Sequence, residues 1–141
     1  RGNIYRVSPD NPTAQLLMQA SDPECAFAAS HDRRYFALLA NRKLQVYDSD
    51  KDQQTDMEYC DAFAFLPQEK GIIISAKAYG VSDLRLYDPE TGDYSLIFDG
   101  IVSTSFYLNW VNNIDPRWDG DALFFKGSIS ERGYPKNLTD I

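Results

Sequence analysis

Leu44-Gln45-Val46-Tyr47-Asp48 recurs forty residues further along the chain as Leu84-Arg85-Leu86-Tyr87-Asp88. A second pair of segments keeps the same order, because Ala26-Phe27-Ala28 recurs as Ala62-Phe63-Ala64 thirty-six residues later. Two matching pairs in the same order, at nearly the same offset, indicate an internal repeat of about 40 residues. Such a repeat is the signature of tandem structural units, each of which is stacked on its neighbours.

The repeated segments have the pattern of β-strands. Apolar and polar residues alternate in 44–48 and in 84–88, which is the period-2 pattern of a strand with one face in water. Each copy also holds an apolar run after a polar break, at Tyr35–Ala40 in the first and at 72–76 in the second. Asp, Asn, Gly and Pro interrupt the chain too often for a helix of about ten residues, and the one stretch that tolerates a helix, 12–20, suits a strand at least as well. The sequence therefore predicts an all-β chain.

Partial copies are expected on both sides of the two full ones. Ile4-Tyr5-Arg6-Val7-Ser8-Pro9 is predicted to be the third strand of a copy whose beginning is missing, and 14–19 to be its last strand. After the second full copy, 105–110 and 122–126 are predicted to be the first two strands of another. The expected copies are 1–20 (partial), 24–58, 59–99 and 104–141 (partial).

Four short antiparallel strands in about 40 residues make one blade of a β-propeller. A blade that is apolar on both faces must be covered by near copies of itself, which explains why Phe, Ala, Leu and Ile occur on both faces of these strands. The 141 residues correspond to about three and a half blades, fewer than the usual four to eight. We therefore expect part of a longer β-propeller, or one completed by further copies of the chain. The alternative is a single β-sandwich whose adjacent hairpins resemble each other.

The repeat resembles the blades of TolB-like propellers and of the N-terminal propeller of dipeptidyl-peptidase-IV-like enzymes. The units at 31–48 and 68–88 carry this resemblance, together with Trp118-Asp119-Gly120-Asp121-Ala122-Leu123-Phe124-Phe125, which is similar to a Trp/Ser-x-Asp-Gly-x-x-apolar element of that family. The first two copies depart from the pattern because they lack the Asp-Gly turn. The resemblance implies a propeller architecture, and it brings no catalytic residue to this chain.

Charge and composition limit the classes of partner. The chain has 14 Lys and Arg against 21 Asp and Glu, a net charge of −7, so it lacks the basic surface with which proteins bind nucleic acid. No apolar run approaches the roughly 18 residues of a transmembrane span. Because the chain opens with Arg1 and not with Met, we expect that a preceding segment was removed or lies outside it. The acidic composition favours an extracellular or periplasmic protein, with a cytoplasmic one as the alternative. If the chain is secreted, Asn137-Leu138-Thr139 is a candidate glycosylation site.

The sequence predicts no catalytic centre, metal site or cofactor in this segment. His31 is the only histidine, and it lies in a polar turn where a solvated side chain is expected. Cys25 and Cys60 precede matching strands, so we expect small buried thiols, with a disulfide between them as the alternative. Asp48-Ser49-Asp50-Lys51-Asp52 has a weak likeness to a calcium loop, but the required Gly and Glu are missing and a solvated turn is expected.

The densest aromatic region is the candidate binding surface. Tyr107, Asn109 and Trp110 combine rigid rings with an amide, which is typical of recognition surfaces, and Trp118 follows them; packing into a core is the alternative for these rings. The leading hypothesis is a non-catalytic β-propeller segment that binds a protein or peptide. The runner-up is the propeller of a prolyl-oligopeptidase-family serine peptidase whose catalytic domain lies elsewhere, because no Gly-x-Ser-x-Gly motif occurs here. A third is a complex in which other chains complete the propeller.

Overall fold

The structure is a computed structural model that describes residues 2–20, 25–67, 71–115 and 122–131. Within these ranges all regular secondary structure consists of β-strands. In chain order the strands are β1 Gly2–Ser8, β2 Asn11–Ala20, β3 Ala26–Ala29, β4 Tyr35–Ala40, β5 Lys43–Asp48, β6 Gln53–Met57, β7 Cys60–Phe65, β8 Ile72–Ala78, β9 Val81–Tyr87, β10 Tyr94–Phe98, β11 Phe106–Ile114 and β12 Phe125–Glu131. The prediction of an all-β chain is confirmed.

Two four-stranded antiparallel sheets follow each other along the chain. One consists of β3, β4, β5 and β6, and the other of β7, β8, β9 and β10, and in both each strand pairs with the next one in sequence. Each sheet is thus a meander of three consecutive hairpins, in which neighbouring hairpins share a strand. The predicted tandem four-stranded antiparallel sheets are therefore present.

The two sheets also share one register, which follows from the two repeat offsets. In the first sheet Leu38 is paired with Gln45, and in the second Ile74 is paired with Arg85. Leu38 and Ile74 are 36 residues apart, which is the offset between the two Ala-Phe-Ala segments. Gln45 and Arg85 are 40 residues apart, which is the offset between the two segments that end in Tyr-Asp. The four-residue difference lengthens the β8–β9 hairpin and leaves its pairings equivalent to those of the β4–β5 hairpin. The match ends at the last strand, because β10 has a register shift between Leu96 and Phe98 that β6 lacks. The repeat is thus a repeat of structure as well as of sequence.

Two further hairpins flank these sheets. β1 pairs with β2, and β11 pairs with β12, both in antiparallel register. The strand predicted at 122–126 was placed too early, because β12 begins at Phe125, opposite Ile114. The Asp115 N–H donates to the Phe124 carbonyl (2.8 Å), and Leu123 packs against the core. The apolar run therefore starts in the connection and not in the strand.

The chain divides into two compact units, Arg1–Cys60 and Asp61–Ile141. In the first unit Met18 of the β1–β2 hairpin packs with Leu38 of β4. In the second unit a larger core joins Leu66, which directly follows β7, with residues of β7, β8, β9 and β11: Ala62, Ala64, Ile73, Leu84, Leu108, Val111 and Ile114. Each unit thus packs a hairpin on a four-stranded sheet, as expected for strands that need apolar cover. In the part of the chain described above, no helix has the length and hydropathy that crossing a membrane requires.

Candidate functional site

The binding surface predicted from the sequence lies on β11. The Asn109 side chain is used within the β11–β12 hairpin, since its Nδ2 donates to Ser130 Oγ (2.5 Å) and its Oδ1 accepts from Ser128 Oγ (2.8 Å). The Nζ of Lys77 lies 5.2 Å from the centre of the half-buried Trp110 ring. The structure therefore assigns both side chains internal contacts, and binding at Tyr107, Asn109 and Trp110 stays a prediction.

The other predicted positions fall at different places. His31 is exposed in the turn before β4. Cys60 is buried and Cys25 half-buried, and both are thiols, so the alternative of a disulfide between them is not realised. Among the described residues no group of three or more His, Cys, Asp or Glu could hold a metal ion. Trp118 and the glycosylation candidate Asn137 lie outside the described residues, and secretion and glycosylation stay predictions.

A groove that the sequence did not indicate lies between the β1–β2 hairpin and the first four-stranded sheet. It has a volume of about 350 Å³, and its described lining consists of residues 4–9, Leu17, Phe27, Arg33 and Phe36. All of these residues belong to the first unit. We call it the β1 groove. This size lies at the lower end of the range for ligand pockets, which are mostly apolar with a few placed polar groups.

An aromatic row forms one wall of the β1 groove. Phe27 of β3 and Phe36 of β4 are stacked almost parallel, with ring centres 6.3 Å apart and an angle of 6° between the planes. Phe36 is paired directly with Tyr47 of β5, and their ring centres are 6.4 Å apart. These contacts follow from the alternation of side chains on adjacent strands. Phe27, at the end of the row, is 43% exposed although it is large and apolar.

Two arginines supply the charge of the β1 groove. Arg6 lies on β1 and Arg33 in the turn before β4, and both are exposed. Neither forms an ion pair with another described residue, and none of the described lining residues is an acid. On a chain with a net charge of −7, this is a local positive site with an aromatic wall.

A tight turn fixes the position of Arg33. Its backbone N–H donates to the Ser30 carbonyl (2.9 Å), and its φ of 60° lies in the left-handed region. The Asp32 carboxylate accepts from the Ser30 hydroxyl (2.6 Å) and from the Arg34 N–H (3.1 Å). These two bonds, the hydroxyl first, lower the pKa of Asp32. Since Asp32 is engaged inside the turn, it supports the backbone that carries Arg33.

Arg34 fastens this turn to the β5–β6 turn. Its Nε and Nη2 donate to the two carboxylate oxygens of Asp48, both at 3.1 Å, and its Nε also lies 3.3 Å from Asp50 Oδ2. Asp48 in turn accepts from the N–H of Asp50 (3.0 Å). The Arg34 guanidinium, more than the backbone bonds, lowers the pKa of Asp48. The acidic segment with a weak likeness to a calcium loop is thus held by an arginine, whose forked geometry matches a carboxylate.

Replacing Asp48 by Asn should lower the melting temperature at about pH 7 by about 3 °C, because the charge of this partly exposed pair is lost. A carboxylate with a lowered pKa stabilises the fold above its unfolded-state pKa of about 3.9, and the stabilisation disappears as the pH falls through the lower folded-state value. The difference between the wild type and Asp48→Asn should therefore shrink below about pH 4. Thermal melts followed by circular dichroism across this pH range measure it. A difference that stays constant down to about pH 2 would contradict the assigned ion pair.

Comparison with known proteins finds no matching family model and no matching curated protein. The functional argument for this chain therefore rests on its geometry, and above all on the β1 groove.

Proposed function

We propose that this chain is a non-catalytic segment of a β-propeller, of the TolB-like or dipeptidyl-peptidase-IV-like type, and that it binds a peptide segment of another protein. The propeller part is supported by two tandem four-stranded sheets with consecutive strand order and equivalent register. The binding part is carried by one observation, the β1 groove with its exposed, stacked aromatic wall.

The composition of the β1 groove supports a binding function. Phe27 and Leu17 offer apolar surface that a ligand side chain could remove from water, and burying an aromatic ring is among the largest single contributions to protein interfaces. Phe27 is already held against Phe36, so little side-chain entropy is lost when a ligand packs on it. The two arginines add polar groups that can orient the ligand.

Random peptides displayed on phage and selected on the immobilised chain should yield binders that depend on Phe27. We expect Phe27→Ala to weaken the selected peptides by at least about fivefold, because an exposed aromatic anchor is removed. Fluorescence anisotropy with the synthetic peptides gives the dissociation constants. Circular dichroism of each variant establishes that the fold is kept.

Trp110→Ala is the matched control, because it removes an aromatic ring from the surface predicted on β11. Peptides that bind the β1 groove should keep their affinity for this variant. Peptides weakened by Trp110→Ala and not by Phe27→Ala would move the function to the β11 surface and refute the assignment to the groove. A selection that enriches no peptide over empty wells would also count against the proposal.

A further inference from the structure

Acids of the first four-stranded sheet and its turns are engaged away from the β1 groove. Asp32 is bonded inside the turn before β4, and Asp48 is held by the Arg34 guanidinium. Asp52 accepts from the Tyr47 hydroxyl at 2.6 Å. Within the described ranges, neither arginine that lines the groove forms an ion pair. The positive charge of the groove is therefore available to a ligand.

The small size of the β1 groove limits what can fill it. A volume of about 350 Å³ is near the lower end for ligand pockets, so it suits roughly one or two residues of a peptide. In this space the ligand meets the exposed side chains of Arg6 and Arg33, and the apolar surface of Phe27 and Leu17. A matching ligand carries a negative charge and an apolar group close together.

We infer that the ligand of the β1 groove is the C-terminal residue of a partner peptide, with an apolar side chain and a free carboxylate. This inference rests on the function proposed above and specifies its ligand. A C-terminal residue carries both groups on one Cα, so its side chain packs on Phe27 while its carboxylate accepts from Arg6 and Arg33. An internal acidic residue would need a neighbour for the apolar contact, and room for the peptide to leave in two directions.

The charges of the chain favour a carboxylate in the β1 groove. A guanidinium can donate two parallel N–H bonds to a carboxylate, and such charge-assisted bonds are stronger than neutral ones. Two positive groups that line one small groove also repel each other, and a bound anion offsets this repulsion. Because the whole chain has a net charge of −7, a carboxylate is repelled by the rest of the molecule, which adds to specificity.

Two synthetic peptides that differ only at the C-terminus test the charge requirement. The acid probe is fluorescein-Gly-Ser-Gly-Ser-Val-Phe with a free carboxylate, and the amide probe has a carboxamide in its place. Titrated with the chain at low salt and followed by fluorescence anisotropy, the acid probe should bind about three- to tenfold more tightly, since partly solvated charge pairs are formed. This advantage should vanish in the double variant Arg6→Gln/Arg33→Gln. It should persist in Arg42→Gln, whose guanidinium lies 5.8 Å from the centre of the Tyr59 ring and does not line the groove.

A third peptide separates a terminal carboxylate from an internal one. The probe fluorescein-Gly-Ser-Val-Phe-Asp-Ser-amide keeps the negative charge and the apolar neighbour, but its carboxylate belongs to an aspartate side chain. We expect it to bind at least about threefold more weakly than the acid probe, because the two groups no longer share one Cα. Equal or tighter binding would overturn the C-terminal ligand and assign the groove to an internal acidic segment.

The remaining outcomes separate this inference from the proposed function. If the acid and amide probes bind equally and Phe27→Ala weakens both, peptide binding in the groove stands and the carboxylate ligand is wrong. The same conclusion follows if neither probe binds while phage selection still gives Phe27-dependent peptides. If neither binds and the selection also fails, both proposals fall.

The arginine variants decide where the carboxylate binds. Both arginines are exposed, so we expect the double variant to keep its fold, which circular dichroism checks. If it does not fold, the single variants Arg6→Gln and Arg33→Gln should each lose part of the advantage of the acid probe. An advantage that survives these substitutions in folded protein would place the carboxylate outside the β1 groove and overturn the inference.

Discussion

Replacing Gly100 by Ala should lower the free energy of unfolding by about 3 kcal/mol, because two costs add together. Alanine is strained in the left-handed backbone conformation of this position, and its Cβ would clash with neighbouring atoms. Gly100 has a φ of +86°, and a Cβ there would overlap the Ser82 carbonyl oxygen and lie 2.7 Å from Val81 Cγ1. Backbone cannot move aside cheaply, and Gly100 is also fixed by its own carbonyl, which accepts from the Leu108 N–H at 2.7 Å. Relief of the clash would shift Ser82, whose hydroxyl donates to the buried Asp61 (2.5 Å).

Gly92→Ala is the matched control for this prediction. Gly92 has nearly the same φ, +81°, but a Cβ there would meet no atom within 4 Å. Only the conformational cost remains, about 1 kcal/mol. Urea denaturation of both variants, followed by far-ultraviolet circular dichroism, gives the two values. Equal destabilisation would show that the chain does not pass close to Ser82 at Gly100.

The sequence predicts the strands well because each strand shows the alternation of apolar and polar residues locally, and the repeat shows it twice. Alternation of apolar and polar residues identified β5 and β9, and the repeat offsets relate the pairing in one sheet to that in the other. The pattern fails at 122–126, where an apolar run continues from a connection into a strand. Leu123 packs against core residues that are distant in sequence, and only the later part of the run pairs as a strand. The periodicity of a sequence carries no information about such contacts.

The candidate site was not predictable in the same way. Its wall and its charges come from β1, β3, β4 and the turn before β4. Only the packing of the β1–β2 hairpin on the sheet brings them together. In the sequence Arg33-Arg34 is too small a basic cluster to suggest a site, although Arg33 faces the groove while Arg34 is paired with Asp48. Conversely, composition indicated a recognition surface around Asn109, but it cannot show that the Asn109 amide is used inside its own hairpin.

The equivalence of the two sheets has an energetic consequence. Leu44 and Leu84 occupy matching positions of the repeat and are 0% and 1% exposed. Leu44→Ala and Leu84→Ala should therefore each lower the free energy of unfolding by about 3 kcal/mol, since both remove the same buried groups and leave a cavity. Leu96→Ala, at a position that is 63% exposed, should cost less than about 0.5 kcal/mol.

Urea denaturation followed by circular dichroism measures all three variants under one set of conditions. A repeat in sequence alone would allow one leucine to be dispensable, because its surroundings would be unrelated to those of the other. In a structural repeat both leucines contribute to stability, because each sheet of a tandem pair depends on apolar packing at the same positions. If Leu44→Ala were as mild as Leu96→Ala while Leu84→Ala were severe, the two sheets would not be energetic equivalents, and the propeller interpretation would lose its main support.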